Sequence, residues 1–285
     1  MQRIFLVFII LLFCPLLIHP QAMNSGSAKT LEGNIYILTC FVSNSSAYRS
    51  QINPGPWSHD DKIRYLREKD QALEFLKEEA LKYGITINFI ENVCLDKDFL
   101  FADGAGGGGW YNGILKAIGH NNQEAFYDYV KNNTKCDNSL ILVFTSTNST
   151  GFNDPANRGG FAFPQHNASD TNFYLEGVTI NKNDVWIEIT KEGKLIVTYG
   201  GISPNVNVDL AIAHEILHCF GAWDLYEKNN KTTGAELARK RYPKSIMNSL
   251  GSRDIGFPEV DPLTAWRIGW NKNPEPWFYQ CDPDK

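Results

Sequence analysis

The sequence has 285 residues, of which 43% are hydrophobic and 21% charged, and its formal net charge is −5 at pH 7. This is the composition of an ordinary globular protein with enough chain for a substantial hydrophobic core. Because the net charge is acidic and the basic residues are scattered, the composition argues against an extended positive surface for nucleic acid or for an anionic membrane.

The N-terminus has the pattern of a secretory signal. Arg3 precedes an apolar run over residues 4–18 that contains Pro15, and small or polar residues follow it. The run is too short for a comfortable membrane span. We therefore expect a signal peptide over residues 1–22, an exported protein, and no membrane attachment after its removal. Cleavage after residue 28 and an uncleaved anchor are the alternatives.

The cysteine count bears on disulfide bonding. Six cysteines, less the one in the signal, leave five. An odd number leaves at least one thiol unpaired in an oxidising compartment. A disulfide between Cys94 and Cys136 is one reasonable pairing, although spacing does not decide the connectivity. Cys219 lies inside a predicted helix and is the best candidate for the remaining thiol.

The first half of the chain alternates predicted strands and helices. Residues 34–43 form a continuous apolar run, which is typical of a central strand covered on both faces. Residues 58–61, with the sequence Ser-His-Asp-Asp, predict a capped helix start, and apolar residues at helical spacing continue to a closing glycine, Gly84. The elements predicted next are a strand over 85–90, helix in one or two pieces over 110–132, and a strand over 140–145.

A run of glycines precedes the second of these helical regions. Residues 104–109 satisfy the GxGxxG pattern of nucleotide-binding loops. A run of this kind satisfies the pattern trivially, and an exported protein has little nicotinamide cofactor to bind. We interpret the run as a flexible loop that can move over a cleft.

The second half of the chain begins with a short strand. Four residues that precede a proline predict an edge strand, because proline cannot donate a ladder hydrogen bond: Gly160, Phe161, Ala162 and Phe163. The elements predicted next are a hairpin over 185–189 and 194–199 and a helix over 206–220. A last helix begins at Asp261 with a proline at its first position. This order of elements predicts a mixed α/β or α+β fold.

Two histidines on the helix predicted over 206–220 have the spacing of metal ligands. His214 and His218 are four residues apart and share one helix face, so both imidazoles can bind one cation. Imidazole nitrogen suits zinc, and a third protein ligand leaves a position open for water. Glu215 lies beside that face, where it can accept a proton from the water instead of binding the metal. The pattern therefore predicts a zinc site for the hydrolysis of an amide bond.

The residues after this helix extend the pattern. Gly221 follows His218 by three residues and can end the helix in a left-handed conformation. The chain can then turn back toward the histidines. This turn allows Asp224 to reach the same metal.

The run from His214 to Asp224 has the form HExxHxxGxxD, which resembles the metzincin clan of zinc metallopeptidases. Most of the clan has a third histidine at the last position, and the aspartate here is similar to the snapalysin-like branch. Residues 242–249, Tyr-Pro-Lys-Ser-Ile-Met-Asn-Ser, resemble the clan's methionine-containing turn, with Met247 at the methionine. The specific motifs end there, while the order of elements extends the resemblance over about residues 34–270.

The resemblance implies an α+β fold: a metzincin-like mixed twisted sheet with an antiparallel edge strand, a backing helix, an active-site helix and a C-terminal helix. It implies that His214, His218 and Asp224 bind Zn²⁺, that Glu215 is the general base and later the acid, and that Met247 lies beneath the metal. It also implies that the edge strand pairs with an extended substrate by strand addition. An ordinary edge strand is the alternative.

The expected organisation follows from the resemblance. Residues 23–33 form a short N-terminal segment, and residues 34–285 form one catalytic domain with an upper lobe to about residue 220 and a lower lobe from about residue 221. The expected activity is that of a secreted, monomeric zinc endopeptidase acting on proteins or peptides. A zinc-stabilised binding module without catalysis is the alternative, and the presence of Glu215 argues against it.

Two details of the resemblance leave questions. Glu236 lies 18 residues past His218, and another group of zinc peptidases has a ligating glutamate at such a separation. Glu236 is therefore the alternative third ligand. In that case Asp224 would support the site without binding the metal. Some metzincins have a tyrosine two residues past the methionine that reaches toward the metal. Ser249 occupies that position, so no such tyrosine is expected there.

Overall fold

The secondary structure follows the segments with the most regular apolar patterns. The computed structural model describes residues 30–42, 59–97, 115–116, 118–121, 123–136, 138–145, 160–163, 175–181, 185–189, 195–199, 208–226, 230–248 and 256–282. Its strands are β1 (Gly33–Val42), β2 (Ile87–Lys97), β3 (Asn138–Thr145), β4 (Gly160–Phe163), β5 (Leu175–Asn181), β6 (Val185–Ile189) and β7 (Leu195–Tyr199). Its helices are α1 (His59–Leu81), α2 (Gln123–Thr134), α3 (Val208–Cys219), α4 (Thr233–Arg241) and α5 (Pro262–Arg267). Two 3₁₀ helices are Ile246–Asn248 and Pro276–Cys281.

Strand β1 has a neighbour on each side in a sheet with the order β2-β1-β3-β5-β4. It pairs parallel with β2 and β3, and β3 pairs parallel with β5. β4 pairs antiparallel with β5, and β6 and β7 form a separate antiparallel pair. Ile35 and Ile37 on one face of β1 and Tyr36 and Leu38 on the other are all buried. The continuous apolar run therefore forms a strand that is covered on both faces.

Helix α1 contributes an apolar stripe to the core. Ala72, Leu73, Leu76 and Ala80 recur at helical spacing and are almost fully buried. Through this side α1 packs against α3. The helix ends in a turn in which Gly84 has a φ of 72°, so the predicted closing glycine is confirmed.

Helix α3 is buried on nearly all sides, since every one of its residues except His218 is buried. A helix without a polar face must lie between other elements. Helix α3 contacts α1 as well as β4 and β5. This packing fixes the orientation of the helix, and with it the direction in which His214 and His218 project.

The mixed composition of helices and strands is confirmed, with differences in two elements. The sequence pattern does not indicate β5, because a glutamate and a glycine interrupt its apolar residues. It does not indicate α4 either, because that segment is largely polar and only three of its residues, Gly234, Ala235 and Ala238, are buried. No helix in the described ranges is long and apolar enough to cross a membrane.

Several predictions concern residues outside the described ranges. These are the signal peptide, the glycine run over 104–109, and Ser249. The side chain of Cys94 is also outside them. Cys136 is buried, and its Sγ lies 3.7 Å from the carbonyl oxygen of Thr134. The disulfide between Cys94 and Cys136 therefore stays a prediction.

Candidate metal centre

Helix α3 ends in a tight turn that redirects the chain. The amide of Gly221 donates to the carbonyl of His218 at 3.0 Å, and the amide of Ala222 donates to the carbonyl of Leu217 at 3.1 Å. Gly221 has a φ of 100°, which glycine adopts without the steric penalty of a side chain. The turn predicted from this glycine is present, and it brings Asp224 to the histidines of α3.

Backbone carbonyl groups orient both histidines. The Nδ1 atom of His214 lies 3.0 Å from the carbonyl oxygen of Ile246, and that of His218 lies 2.9 Å from the carbonyl oxygen of Ala222. Because a carbonyl can only accept, each Nδ1 carries a proton, and in the neutral ring Nε2 keeps its lone pair. The two Nε2 atoms are 3.0 Å apart. Both imidazoles therefore present a metal-binding nitrogen to the same position.

Asp224 completes the cluster. Its Oδ1 lies 3.2 Å from Nε2 of His214 and 3.1 Å from Nε2 of His218. Among the residues that the structure describes, these three side chains form the group that could hold a metal ion. His214 is fully buried, whereas the side chains of His218 and Asp224 are each 19% exposed. The cluster is therefore accessible to solvent on the side of these two residues.

Glu236, the alternative third ligand, lies on helix α4. Its Oε1 is 2.6 Å from Nζ of Lys240, and its side chain is 55% exposed. It does not belong to the cluster of possible metal ligands. In this structure Asp224, and not Glu236, shares a site with the two histidines.

The charges of the cluster shift two pKa values in opposite directions. Burial alone raises the pKa of the Asp224 carboxyl, but the imidazoles of His218 and His214 outweigh burial and hold this pKa well below its usual range. Burial alone lowers the pKa of His218, but the carboxylates of Asp224 and Glu215 raise it to about 9. Without a metal, the cluster thus contains an ion pair between His218 and Asp224 at neutral pH.

Glu215 lies close to the cluster, and it is only 4% exposed. Its carboxylate raises the pKa values of both His218 and Tyr226. Glu215 lies three residues before His218 on helix α3, so the two side chains are neighbours on the helix surface. A carboxylate beside the cluster, and not among its three ligand atoms, has the position that the HExxH spacing predicts for a proton acceptor.

Tyr226 is a residue of the site that the sequence pattern does not predict. Its hydroxyl group is hydrogen-bonded to the Asp224 carboxylate, and its ring stacks on His214 with 6.4 Å between the ring centroids. Burial and the charges of Asp224 and Glu215 raise its pKa far above the usual value, so the phenol stays protonated and donates to Asp224. No periodic pattern could have identified it, because residues 222–226 belong to neither a helix nor a strand.

Met247 lies in a turn that supports two of the candidate metal ligands. Its side chain is fully buried within the 3₁₀ helix. Its carbonyl accepts a hydrogen bond from the amide of Leu225 at 2.9 Å. The carbonyl of the preceding residue, Ile246, accepts from His214. The turn predicted around Met247 therefore holds a histidine of α3 and the segment that carries Asp224.

A buried polar network holds this turn in place. Ser245 Oγ donates to Oδ2 of Asp261 at 2.6 Å, and the amide of Met247 donates to Ser245 Oγ at 3.1 Å. Asp261 also accepts from the amides of Leu263 and Thr264, at 2.9 and 3.1 Å, and so caps helix α5. The cap is predicted by the Asp-Pro sequence. The link from the cap to the turn is not, because it joins residues 16 positions apart.

Arg239 of helix α4 holds the segment that follows the cluster. Its Nη1 donates to the carbonyls of Leu225 and Asn230 at 2.6 and 2.8 Å. Asn230 is itself only 1% exposed. Its Nδ2 donates to the carbonyl of Cys281 at 3.0 Å, and its Oδ1 accepts from the amide and the hydroxyl of Thr232. These bonds connect the Asp224 segment to the C-terminal 3₁₀ helix.

Strand β4 contacts helix α3, which carries His214 and His218. The strand contains Gly160, Phe161, Ala162 and Phe163. Its backbone is paired with β5 from Gly160 opposite Ile180 to Phe163 opposite Gly177. In the order of the described sheet it has a neighbour on one side. Its backbone therefore packs beside helix α3, while its side chains are outside the described part of the structure.

Comparison with known proteins adds no relative. The sequence matches no protein-family model and no curated protein. A functional assignment therefore depends on the chemistry and geometry of the residues described above.

Proposed function

We propose that the protein is an exported zinc-dependent endopeptidase of the metzincin type, with the aspartate variant of the ligand set. The observation that carries this proposal is the convergence of His214 Nε2, His218 Nε2 and Asp224 Oδ1 to separations of 3.0, 3.1 and 3.2 Å. Glu215 lies beside these atoms. The N-terminal pattern of residues 1–22 supports export.

The donor set and its spacing fit zinc. Ligands about 2.0–2.1 Å from a tetrahedral zinc ion lie roughly 3.3 Å from one another. The three separations in this structure are slightly shorter. The ligand atoms would therefore need to move apart by only a few tenths of an ångström to bind zinc. Two imidazoles and one carboxylate also form a three-ligand set of the kind that leaves a fourth position for catalysis.

The proposed mechanism assigns separate tasks to the side chains. His214, His218 and Asp224 would hold the zinc ion, which would supply a Lewis acid that polarises a peptide carbonyl and lowers the pKa of water from about 15.7 toward roughly 7. Glu215 accepts a proton from the attacking water and delivers it to the leaving amine. The protonated Tyr226 hydroxyl holds the Asp224 carboxylate in its orientation. Met247 fills the space in the turn that supports His214.

The proposed substrate is an extended segment of a protein or peptide. Strand β4 contacts α3 and has one neighbour in the described sheet order. A substrate strand that adds to the other side of β4 would present its carbonyl groups beside the cluster, and strand addition uses main-chain hydrogen bonds that suit many sequences. We propose that the protein acts in this way as a monomer.

The test compares Glu215→Ala with wild type in zinc content, folding and cleavage of a peptide library. Removal of the proton acceptor should lower kcat by about 10²- to 10⁴-fold or more. Bound zinc and the melting temperature should change little, because Glu215 is not a ligand. Glu236→Gln is the matched control, since Glu236 is an exposed glutamate on α4, and it should cleave like wild type.

Three results would contradict the proposal. One is a wild-type protein that binds no zinc, and another is a Glu215→Ala variant that cleaves as fast as wild type. The third is a zinc-loaded wild type that cleaves no peptide in the library. That last result would favour a zinc-stabilised binding module.

A further inference from the structure

Arg267 is a buried cation close to the metal cluster. It is the last residue of helix α5 and is only 5% exposed. Its Nε donates to the carbonyl of Gly221 at 2.9 Å. Its guanidinium carbon lies 3.7 Å from the centroid of the Trp223 ring, which is the stacking distance of a close cation–π contact.

These two contacts lie on the segment that leads to the third ligand. Gly221 is the residue at which the chain turns, and its φ of 100° is the left-handed conformation that ends helix α3. Trp223 immediately precedes Asp224 and is 7% exposed. Arg267 therefore contacts the start of the turn and the residue next to the ligand.

The segment has little regular structure of its own between these contacts. Residues 222–225 belong to neither a helix nor a strand, so no hydrogen-bond ladder fixes the position of Asp224. The histidines differ, because helix α3 fixes their relative positions. The bond from the amide of Leu225 to Met247 and the bond from Arg239 to the carbonyl of Leu225 restrain the segment after Asp224. Arg267, held by packing at α5, adds a restraint on the side before Asp224, at Gly221 and Trp223.

We propose that Arg267 is a positioning residue for the third metal ligand, Asp224, and that it acts through Gly221 and Trp223. The inference rests on the proposed metal site, but not on the reaction. In this proposal helix α5 fixes the position of the carboxylate that binds the divalent cation. In this role Arg267 acts on the position of Asp224 and not on the cation directly.

The chemistry of the contacts predicts that lysine is a poor substitute. The planar guanidinium donates through Nε and stacks on the indole at the same time. The ammonium of lysine is a compact, strongly hydrated charge and cannot do both. Arg267→Lys keeps the charge of the site and should still release Asp224 from its position.

A double-mutant cycle separates positioning from general stability. The affinity for Co²⁺ is measured by chelator competition and by the visible absorption of the bound ion, in wild type, Arg267→Lys, Asp224→Ala and the double variant. Arg267→Lys should weaken Co²⁺ binding by about 10- to 100-fold. In the Asp224→Ala background the same change should cost less than about twofold, since the ligand it positions is absent.

Arg241 provides a matched control. It also stacks on an indole, with its guanidinium carbon 5.3 Å from the Trp277 ring centroid, and it donates to Glu275 at 2.6 Å. It contacts no residue of the segment from Gly221 to Asp224 in these interactions. Arg241→Lys should leave the Co²⁺ affinity within about twofold of wild type.

The outcomes distinguish the inference from the proposed function. An equal loss of affinity in both backgrounds, or no loss in wild type, would overturn the positioning role while the peptidase proposal stands. A wild type that binds neither Co²⁺ nor zinc would overturn both. If Arg267→Lys does not fold by circular dichroism, Trp223→Phe replaces it in the same cycle, and a smaller loss that depends on Asp224 is expected.

Discussion

The three ligand atoms of the cluster are held in two different ways. His214 and His218 lie on one buried helix, and their separation follows from helical geometry. Asp224 lies on an irregular segment whose position depends on hydrogen bonds to distant residues, such as that from the amide of Leu225 to the carbonyl of Met247. A candidate metal cluster can therefore combine side chains that local structure fixes with one that only the tertiary fold fixes.

The largest expected effects test this difference directly. His218→Ala removes one of the two imidazole ligands on helix α3. It should lower the metal affinity by more than the roughly 10- to 100-fold loss that follows the mutation of a residue that only supports a ligand. Asp224→Ala should cost less, because the two imidazoles remain in place. Zinc affinities from chelator competition give both values. If Asp224→Ala loses more affinity than His218→Ala, the helix pair is not the stronger part of the site.

The pH dependence of metal binding tests the same comparison, because Asp224 on the irregular segment changes the protonation of His218 on helix α3. Burial lowers the pKa of His218 in the metal-free protein, but Asp224, together with Glu215 and the carbonyl of Ala222, raises it from 6.5 to about 9. A cation must displace that proton, so zinc affinity should rise about tenfold per pH unit up to about pH 9 and then level off. In Asp224→Ala the rise should end at lower pH. A metal affinity that is constant between pH 7 and 9 would contradict this coupling.

The same raised pKa has a consequence for the stability of the metal-free protein. A histidine whose pKa is higher in the folded state contributes stability that is fully present below its unfolded pKa, here 6.5, and is lost as the pH rises through about 9. The metal-free protein should therefore lose this contribution between these pH values. Zinc-loaded protein should not, because the bound imidazole carries no exchangeable proton at Nε2.

The smallest expected effect concerns the network behind the turn. Ser245→Ala removes the bond to Asp261 and the acceptor of the Met247 amide. We expect a loss of about 1 kcal/mol in the free energy of unfolding. The loss of zinc affinity should be only several-fold, since Ile246 keeps its bond to His214. Urea unfolding with and without zinc gives both quantities, and Ser245→Thr, which keeps the hydroxyl, is the control.

The two kinds of restraint also explain what the sequence predicts. Spacing alone predicts His214, His218 and Glu215, since a helix makes residues three and four apart neighbours. Gly221 predicts the turn, because few other residues adopt its φ. The supports of the segment, Arg239 and Arg267, are not predicted. Each binds backbone groups that are remote in sequence, and no local pattern encodes such a contact.

The same reasoning applies to the fold. The apolar run of β1 predicts a strand covered on both faces, and the stripe of α1 predicts its packing side, because burial imposes a period on the sequence. Strand β5 carries a glutamate and a glycine and is stabilised by pairing with β3 and β4. Such pairing depends on segments that are distant along the chain, so the sequence of β5 alone does not reveal it.

The buried amide of Asn230 has a consequence for how the protein is produced. Asn230, Lys231 and Thr232 form an acceptor sequence for N-linked glycosylation. In the folded protein the acceptor nitrogen donates to Cys281 and the residue is 1% exposed, which leaves no space for a sugar. Glycan transfer and folding therefore compete for this residue. Expression in a host without oligosaccharide transfer should give the folded form, and a glycosylating host should divert chains from it.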